Sequence, residues 1–172
     1  MNNDTTKILI DSDVIIHFIK GDKLDLIPSI FPDRIAFVDK VLEELYLIPR
    51  TQILIHNFIS NNNFERLELD SNLDYVIEYS RLIQLVGKGE AACMAIAKID
   101  KNYIASSNMK DIREYCEKND IKIITTMDIL WEAMNLHLLT VEECDEFIRK
   151  VKSAGSKLPV DTIEEYVKKY VM

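Results

Sequence analysis

A short apolar run that ends in two aspartates is the feature that most constrains how this chain can fold. Ile8, Leu9 and Ile10 follow one another without polar alternation, which predicts a strand buried on both faces. Asp11 and Asp13 come directly after that run, and an apolar helical pattern follows them. Such a strand ends at the carboxyl edge of a parallel sheet, where open α/β folds bind their ligands. We therefore predict that Asp11 is a metal ligand, with Asp13 as a secondary candidate.

The same two aspartates have a simpler interpretation as elements of local structure. Asp13 would cap the helix that follows, and Asp11 would be a solvated strand end. The first stretch by itself leaves both interpretations open, so the rest of the chain has to decide between them.

Strands and helices alternate along the remainder of the chain. Apolar runs at 34–38, 103–106 and 121–125 predict core strands, and an alternating segment at 64–69 predicts an edge strand. The strand at 103–106 should neighbour the first strand. This order predicts an α/β fold with three layers (α/β/α) around a central, mainly parallel sheet. We expect an α/β domain over 1–134 and a helical C-terminal extension over 135–172 that packs on it.

Composition restricts the classes of function. The 172 residues are 48% hydrophobic, which is enough for a domain with a substantial core, and the net charge of −8 argues against broad electrostatic binding of nucleic acid. A cluster of acids that holds a metal is compatible with this charge, because the metal restores local attraction for phosphate. The three cysteines form no CxxC pair, and no apolar run approaches the roughly 20 residues of a membrane helix. Residues 1–4 lack the basic start of a signal peptide, so we expect a cytoplasmic protein without a membrane partner.

Two glutamates are the next candidates for a shared acidic site. In the helix after the second strand, Glu44 lies about 60° from the inward-facing Val41, whereas Glu43 points almost to the opposite side. Glu90 begins a helix that is small and apolar almost all round, and it shares the face of Cys93. The structural alternatives are a surface glutamate for Glu44 and, for Glu90, a first-turn acid that favours the helix dipole by about 0.3–1 kcal/mol.

Polar residues after the predicted strand at 103–106 complete the candidate site. Asn108 with Asp111 three residues later resembles a capping box, which is compatible with a position at the cleft. Basic and hydroxyl side chains lie close by, and as plain surface residues they would need no functional explanation. The candidate phosphate-binding residues are Lys110, Arg113, Ser106 and Ser107.

Convergence of Asp11, Glu44 and Glu90 would create a site that needs a counter-charge. Like charges about 4 Å apart repel by about 4 kcal/mol at an effective dielectric of 20. Three acids share such a site only by taking up protons or a divalent cation, and hard oxygen ligands favour Mg²⁺ or Mn²⁺. The metal would orient a water for attack on phosphorus and stabilise the leaving oxygen. The three histidines are predicted to be ordinary helix or surface residues: His17, His56 and His137.

Four segments, taken in order, resemble the PIN-domain nucleases, including toxins of the VapC kind. They are ILIDSDVII at 8–16, VLEEL at 41–45, GKGEAA at 87–92 and ASSNMKDI at 105–112. The third segment is similar to the third-acid motif (GxGEA) of one PIN branch. The segment at 121–130 resembles the strand and helix that follow the fourth motif in that family, so the match spans about residues 7 to 131.

The resemblance implies a PIN-like fold and cleavage of RNA that depends on Mg²⁺ or Mn²⁺, often by a homodimer and often silenced by a bound antitoxin. It assigns catalysis to Asp11, Glu44, Glu90 and Asp111, and metal binding to Asp11, Glu90, Asn108 and Asp111. The fourth motif departs from the family, because Ser107 and Asn108 stand where many relatives carry one or two aspartates. Some members have Asn there with an aspartate three residues later, as Asp111 is here.

Three alternatives remain at this point. The first is an inactive PIN-like module that binds RNA or protein. The second is a phosphatase of the haloacid-dehalogenase kind, since Asp11 and Asp13 fit its Asp-x-Asp motif, although the later segments 103–107 and 121–126 end in Ser or Thr rather than an acidic pair. The third is a scaffold or toxin–antitoxin partner whose interface is the predicted helix at 161–171, with an apolar face formed by Ile163, Tyr166, Val167 and Tyr170.

Overall fold

The computed structural model describes residues 5–172. Residues 1–4, on which the expectation of no signal peptide rests, lie outside this range. The strands are β1 (Ile8–Ile10), β2 (Ile35–Val38), β3 (Glu65–Leu67), β4 (Tyr103–Ala105) and β5 (Ile123–Ile124). The helices are α1 (Ser12–Lys20), α2 (Leu26–Ile30), α3 (Asp39–Tyr46), α4 (Gln52–Asn62), α5 (Leu73–Leu82), α6 (Lys88–Asp100), α7 (Met109–Lys118), α8 (Thr126–Asn135), α9 (Val141–Ser153) and α10 (Ile163–Tyr166). A 3₁₀ turn at Leu69–Ser71 precedes α5, and a π-helix at Val167–Val171 follows α10.

The five strands form one parallel sheet in the order β3-β2-β1-β4-β5. The predicted three-layer α/β fold is confirmed, as is the predicted pairing of β1 with β4, in which Ile10 stands opposite Ala105. The chain builds outward from β1 through β2 to β3 and then returns to place β4 on the other side of β1. The direction of winding therefore reverses between β1 and β4, and ligand sites of open α/β sheets lie at the carboxyl ends of strands flanking such a point.

The core is dense around the sheet and around α6. All residues of β1 and β2 are buried, and so is the run Ala91–Ala97 of α6. This helix contacts β1, β2 and β4 as well as α3 and α5. The small side chains of α6 allow the close approach that this central position requires, which agrees with the prediction of a buried helix.

The C-terminal helices share this core. Phe147 of α9 packs against Phe18 of α1 with ring centroids 5.0 Å apart, and a Cβ at Gly21 would lie 2.1 Å from the Phe147 ring. The division into 1–134 and 135–172 stays a prediction. The helix predicted at 161–171 is α-helical only over Ile163–Tyr166 and continues as the π-helix; Ile163 and Tyr166 are buried, so this part of its apolar face docks on the protein's own core.

The strand predicted at 121–125 is shorter than expected and forms one edge of the sheet. Asp120 has a positive φ of 56°, and the Ile121 N–H donates to the Cys116 carbonyl at 2.9 Å. This hydrogen bond closes the end of α7 in a Schellman-type turn and leaves only two residues to pair with β4.

The helix predicted to begin at Glu90 begins two residues earlier, at Lys88, as α6. The longest helices among residues 5–172 have 13 residues, so none in this range is long and apolar enough to cross a bilayer.

Candidate active site

Asp11 lies at the carboxyl end of β1, beside the point where the winding of the sheet reverses. Its backbone N–H donates to the Ala105 carbonyl of β4 at 2.9 Å, so strand pairing fixes its position. Its side chain is 3% exposed, and its carboxylate accepts a hydrogen bond from the Ser12 N–H at 2.7 Å as the N-cap of α1. The interpretation of Asp11 as a solvated strand end, with Asp13 as the cap, is therefore wrong.

Asp13 lies in the first turn of α1 and reaches across to the loop after β4. Its Oδ2 accepts a hydrogen bond from the Ser107 N–H at 2.8 Å. Its Oδ1 is buried and has no hydrogen-bond partner among the described residues. Burial raises the pKa of Asp13 because desolvation disfavours the charged form, and the Ser107 hydrogen bond opposes this shift.

Glu44 projects from α3 and joins the beginnings of two other helices. Its Oε2 accepts from the Ser12 hydroxyl at 2.9 Å, and its Oε1 accepts from the Gly89 N–H at 2.8 Å. A Cβ at position 89 would lie 2.7 Å from Glu44 Oε2, so a side chain there would displace the end of the Glu44 side chain from its present hydrogen bonds. Glu44 is half-buried and Glu43 is exposed, as the helical positions predicted.

Glu90 lies in the first turn of α6. Its Oε2 accepts from the Gly87 N–H at 3.4 Å, and the Asn108 side chain also hydrogen-bonds to the carboxylate. Its Oε1 is buried and has no partner within residues 5–172. Burial raises the pKa of Glu90, and the hydrogen bonds from Asn108 and Gly87 oppose that shift. Glu90 thus combines a first-turn position with an inward-facing, partly unsatisfied carboxylate.

The structure brings four of the predicted acids together around the thiol of Cys93 on α6. Burial raises the pKa of Asp11 well above its usual value, and the charges of Asp13, Glu90 and Glu44 raise it further. Burial and the same four carboxylates raise the pKa of the Cys93 thiol. The cluster therefore carries more negative charge than a buried site holds without protons or a cation.

Asn108 and Asp111 lie at the rim of this cluster. The Asn108 Nδ2 donates to the Asp111 carboxylate at 2.8 Å, and the Asn108 side chain makes no capping hydrogen bond to α7. The capping-box interpretation of this pair is therefore wrong. Asp111 is exposed, whereas Asn108 hydrogen-bonds to Glu90, so the amide links the buried acids to the protein surface.

The predicted phosphate-binding cations remain at the surface. Lys110 and Arg113 are exposed on α7 and line one shallow depression together with Glu114 and Glu117. They lie on the same helix as Asp111, and their role toward phosphate stays a prediction. Neither side chain contributes to the buried cluster itself.

The two serines of the fourth motif turn their hydroxyl groups toward the protein. The Ser106 hydroxyl accepts from the Asn108 N–H at 3.2 Å and hydrogen-bonds to Asp13. The Ser107 hydroxyl donates to Thr126 Oγ1 at 2.7 Å and accepts from the Thr126 N–H at 3.1 Å. These contacts give both hydroxyls partners in the loop that shapes the site, and their role toward phosphate stays a prediction.

His17 is a helix residue of α1, as one of the two predicted alternatives had it, but its side chain is buried beside the site rather than at the surface. Its Nδ1 lies 2.9 Å from Thr126 Oγ1, and neither His17 nor Thr126 was a candidate. Burial, with a smaller contribution from the Lys20 charge, lowers the pKa of His17 to about 4. The position of His17 in the apolar pattern begun by Val14 indicated burial, but its contact across 109 residues left no sequence signal.

Comparison with known families agrees with this geometry. A family model described as PIN domain matches residues 7–171. The chain belongs to the PIN-domain family. The predicted membership is thereby confirmed, and since PIN domains are typically nucleases, the coarse class of the protein is that of a nuclease-type hydrolase. No curated protein matches the chain.

The acidic cluster of this PIN domain has the donor chemistry for a divalent cation. Within residues 5–172, no three Asp, Glu, His or Cys side chains stand in a preformed metal geometry. Carboxylate oxygens nevertheless suit a hard cation, and two buried ones, Asp13 Oδ1 and Glu90 Oε1, have no partner among these residues. Leaving a buried polar atom unpaired costs about 1–3 kcal/mol, so a cation that engages them would relieve strain in the cluster.

The phosphatase alternative receives no support from the family comparison. That chemistry needs a second acidic pair after another strand of the sheet. In this PIN domain Ser106 follows β4 and Thr125 follows β5, and neither strand is followed directly by two acids.

Proposed function

We propose that this PIN domain is a metal-dependent endoribonuclease that hydrolyses RNA phosphodiester bonds with Mg²⁺ or Mn²⁺. The observation that carries the proposal is the group formed by the buried Asp11 and the partly buried Asp13 and Glu90, in which two buried carboxylate oxygens have no partner among the described residues. This group lies at the carboxyl edge of the sheet, between β1 and β4, where substrates of open α/β folds bind.

Side chains from three elements would hold the metal. The proposed ligands are Asp11, Glu90, Asn108 and Asp111, with Asp13 as a further candidate. When bound, the cation would orient a water molecule for attack on phosphorus and stabilise negative charge on the departing oxygen. In its absence the carboxylates are easier to protonate, since burial and mutual repulsion raise the pKa of Asp11 and burial raises that of Glu90.

Glu44 would serve chiefly to hold the other acidic side chains in position, although the family resemblance assigns it to catalysis. Both of its oxygens accept hydrogen bonds, one from the first residue of α1 and one from the first turn of α6. Asp11 precedes α1 and Glu90 lies in α6, so this carboxylate links the two helix beginnings that carry the proposed ligands.

Substrate phosphates would contact the exposed side chains of Lys110 and Arg113 on α7. A protein with a net charge of −8 has little general affinity for nucleic acid, so these two cations and the metal would supply most of the local attraction. Substitution of both by Ala should raise KM for RNA more than it lowers kcat, because they contact phosphates away from the reacting bond.

The direct test is cleavage of end-labelled single-stranded and hairpin RNA by the purified chain with Mg²⁺, Mn²⁺ or EDTA. We expect cleavage with either metal, none with EDTA, and a loss of about 100-fold or more in Glu90→Gln. Glu43→Gln is the matched control, because Glu43 is exposed and forms a surface ion pair with Lys40. Wild type and Glu90→Gln that behave alike would contradict the proposal and favour an inactive PIN-like module.

More narrowly, we propose that the protein is a cytoplasmic, homodimeric toxin and that a protein antitoxin silences it. The supporting observation is an apolar surface on α4, where Ile53 is 79% exposed and Leu54 is 45% exposed. Both residues line a groove of about 900 Å³ that also contains Phe18 and Leu24. Light scattering of the purified chain tests the dimer. Growth arrest on expression, absent in Glu90→Gln, tests the toxin role.

A further inference from the structure

A buried chain of hydrogen bonds joins α1, α8 and the loop after β4. His17 Nδ1 lies 2.9 Å from Thr126 Oγ1, and the Ser107 hydroxyl donates to the same Thr126 oxygen at 2.7 Å. The Thr126 N–H returns a hydrogen bond to the Ser107 hydroxyl at 3.1 Å. The side chain of His17 is 7% exposed and that of Thr126 is fully buried, so water does not compete for these contacts.

Each side chain in this chain has its hydrogen-bonding groups matched by its neighbours. Thr126 Oγ1 accepts from Ser107, and the remaining lone pair and proton of the Thr126 hydroxyl let it meet His17 Nδ1 as acceptor or as donor, according to the tautomer of the imidazole. The imidazole is neutral near neutral pH, since burial lowers the pKa of His17 to about 4. The Ser107 hydroxyl acts as both donor and acceptor toward Thr126.

The other end of this chain lies at the acidic cluster. The Ser107 N–H donates to Asp13 Oδ2 at 2.8 Å. The next residue, Asn108, donates to Asp111 at 2.8 Å and hydrogen-bonds to Glu90. Because the Ser107 hydroxyl is held in place, the backbone N–H of Ser107 keeps its direction, and so does the side-chain amide of Asn108. The position of two proposed site groups thus depends on contacts behind the site.

We propose that His17 and Thr126 are positioning residues of the active site, which act through Ser107 on Asp13 and Asn108. This inference rests on the proposed nuclease function and adds two residues that no motif assigned. A purely structural role would be satisfied by any filled and hydrogen-bonded core position. A positioning role requires in addition that changes at His17 or Thr126 alter the site while the fold is kept.

The test compares variants that keep or remove the hydroxyl and imidazole contacts. Thr126→Val preserves shape and removes the hydroxyl, whereas Thr126→Ser keeps it. His17→Phe removes the ring nitrogen that meets Thr126, and the exposed His56 supplies the matched control His56→Phe. We expect Thr126→Val and His17→Phe to lower kcat by about tenfold or more with little change in KM, and to weaken Mn²⁺ binding by about threefold or more in calorimetry. Thr126→Ser and His56→Phe should remain within about threefold of wild type.

A readout independent of activity separates this inference from the nuclease proposal. Hydrogen exchange of the Ser107 N–H should be about tenfold or more faster in Thr126→Val than in Thr126→Ser, because Thr126→Val removes the hydroxyl that holds the Ser107 side chain. If the wild type neither cleaves RNA nor binds Mn²⁺, the proposed function fails. The exchange rates still show whether Thr126 holds Ser107 in place.

Unchanged Ser107 exchange would overturn the inference whatever the activity. So would variants that lose only thermal stability while kcat and Mn²⁺ affinity stay at the wild-type values. Should Thr126→Val not fold, the pair His17→Phe and His17→Gln supports the same comparison, since Gln restores a hydrogen-bonding group at that position.

Discussion

The Glu44 carboxylate of α3 accepts the Gly89 N–H of α6 at 2.8 Å, across 45 residues of sequence. A Cβ at position 89 would approach Glu44 Oε2 to 2.7 Å, well inside ordinary contact. The position of the Glu44 carboxylate therefore depends on residue 89 of the facing helix having no side chain. It also explains in physical terms why a glycine directly precedes Glu90.

Gly89→Ala should therefore displace Glu44 and disturb the beginnings of α1 and α6. We expect a loss of about 1–3 kcal/mol in the free energy of unfolding, as for other overpacked sites, and a fall of about tenfold or more in RNA cleavage. Urea denaturation and steady-state kinetics measure the two effects. Gly87→Ala is the comparison, since the nearest atom to a Cβ there lies 3.6 Å away. Equal effects of the two substitutions would contradict this account of Glu44.

Asp11→Asn should make the metal-free protein more stable at pH 8. Burial and the charges of Asp13, Glu90 and Glu44 raise the pKa of Asp11, so the folded state binds its proton more tightly than the unfolded state does. Stability from this group is present at low pH and is lost as pH rises through the raised pKa. Asn retains the N-cap acceptor and removes the charge.

The gain from Asp11→Asn should be on the order of 1 kcal/mol at pH 8 and should shrink toward pH 4. Thermal unfolding in EDTA at both pH values measures it. With saturating Mn²⁺ the order should reverse, because the wild type keeps a ligand that the variant lacks. A variant less stable than wild type in EDTA at pH 8 would argue against repulsion within the cluster.

Lowering the pH should reduce the free energy of unfolding, and protonation of His17 should account for part of that loss. Burial lowers the pKa of His17 from 6.5 to about 4, so the unfolded chain binds this proton more tightly than the folded protein. The stability that neutral His17 contributes is fully present above its ordinary pKa of 6.5, and it is lost as the pH falls toward about 4. Its full size is on the order of 3 kcal/mol. His17→Gln should lack this part of the pH dependence in denaturation curves, while His56→Gln should keep it.

Gly21→Ala should loosen the attachment of the C-terminal helices. A Cβ there would lie 2.1 Å from the Phe147 ring, which also packs on Phe18. We expect a loss of about 1–3 kcal/mol in the free energy of unfolding. Adding Phe147→Leu to Gly21→Ala should cost less than the sum of the two single changes, which a double-mutant cycle measures. Additive effects would show that the ring and the glycine do not interact.

Much of the fold was predictable because its signals are local. The apolar run of β1, the pairing of β1 with β4 and the inward face of Glu90 follow from patterns of a few residues and from the alternation of strands with helices. The family motifs placed the acids in the same order. The limits of β5 and α10 were less predictable, because they depend on how a turn closes α7 and on a change from α- to π-helix.

The inner part of the site was not predictable from the sequence. Both oxygens of Glu44 are held by residues 32 and 45 positions away, and His17 meets Thr126 across 109 residues. No periodicity or spacing encodes such contacts, because they arise only when three helices begin at one edge of the sheet. The inward orientation of the Ser107 hydroxyl has the same origin.

Anomalous diffraction from crystals of the wild-type chain grown with Mn²⁺ would show whether Asp11 and Glu90 share a divalent cation. We expect a manganese peak within coordination distance, about 2.0–2.4 Å, of oxygens from both carboxylates, and its loss in Glu90→Gln. No peak between Asp11 and Glu90 at high Mn²⁺, or a peak bound only elsewhere on the molecule, would contradict it.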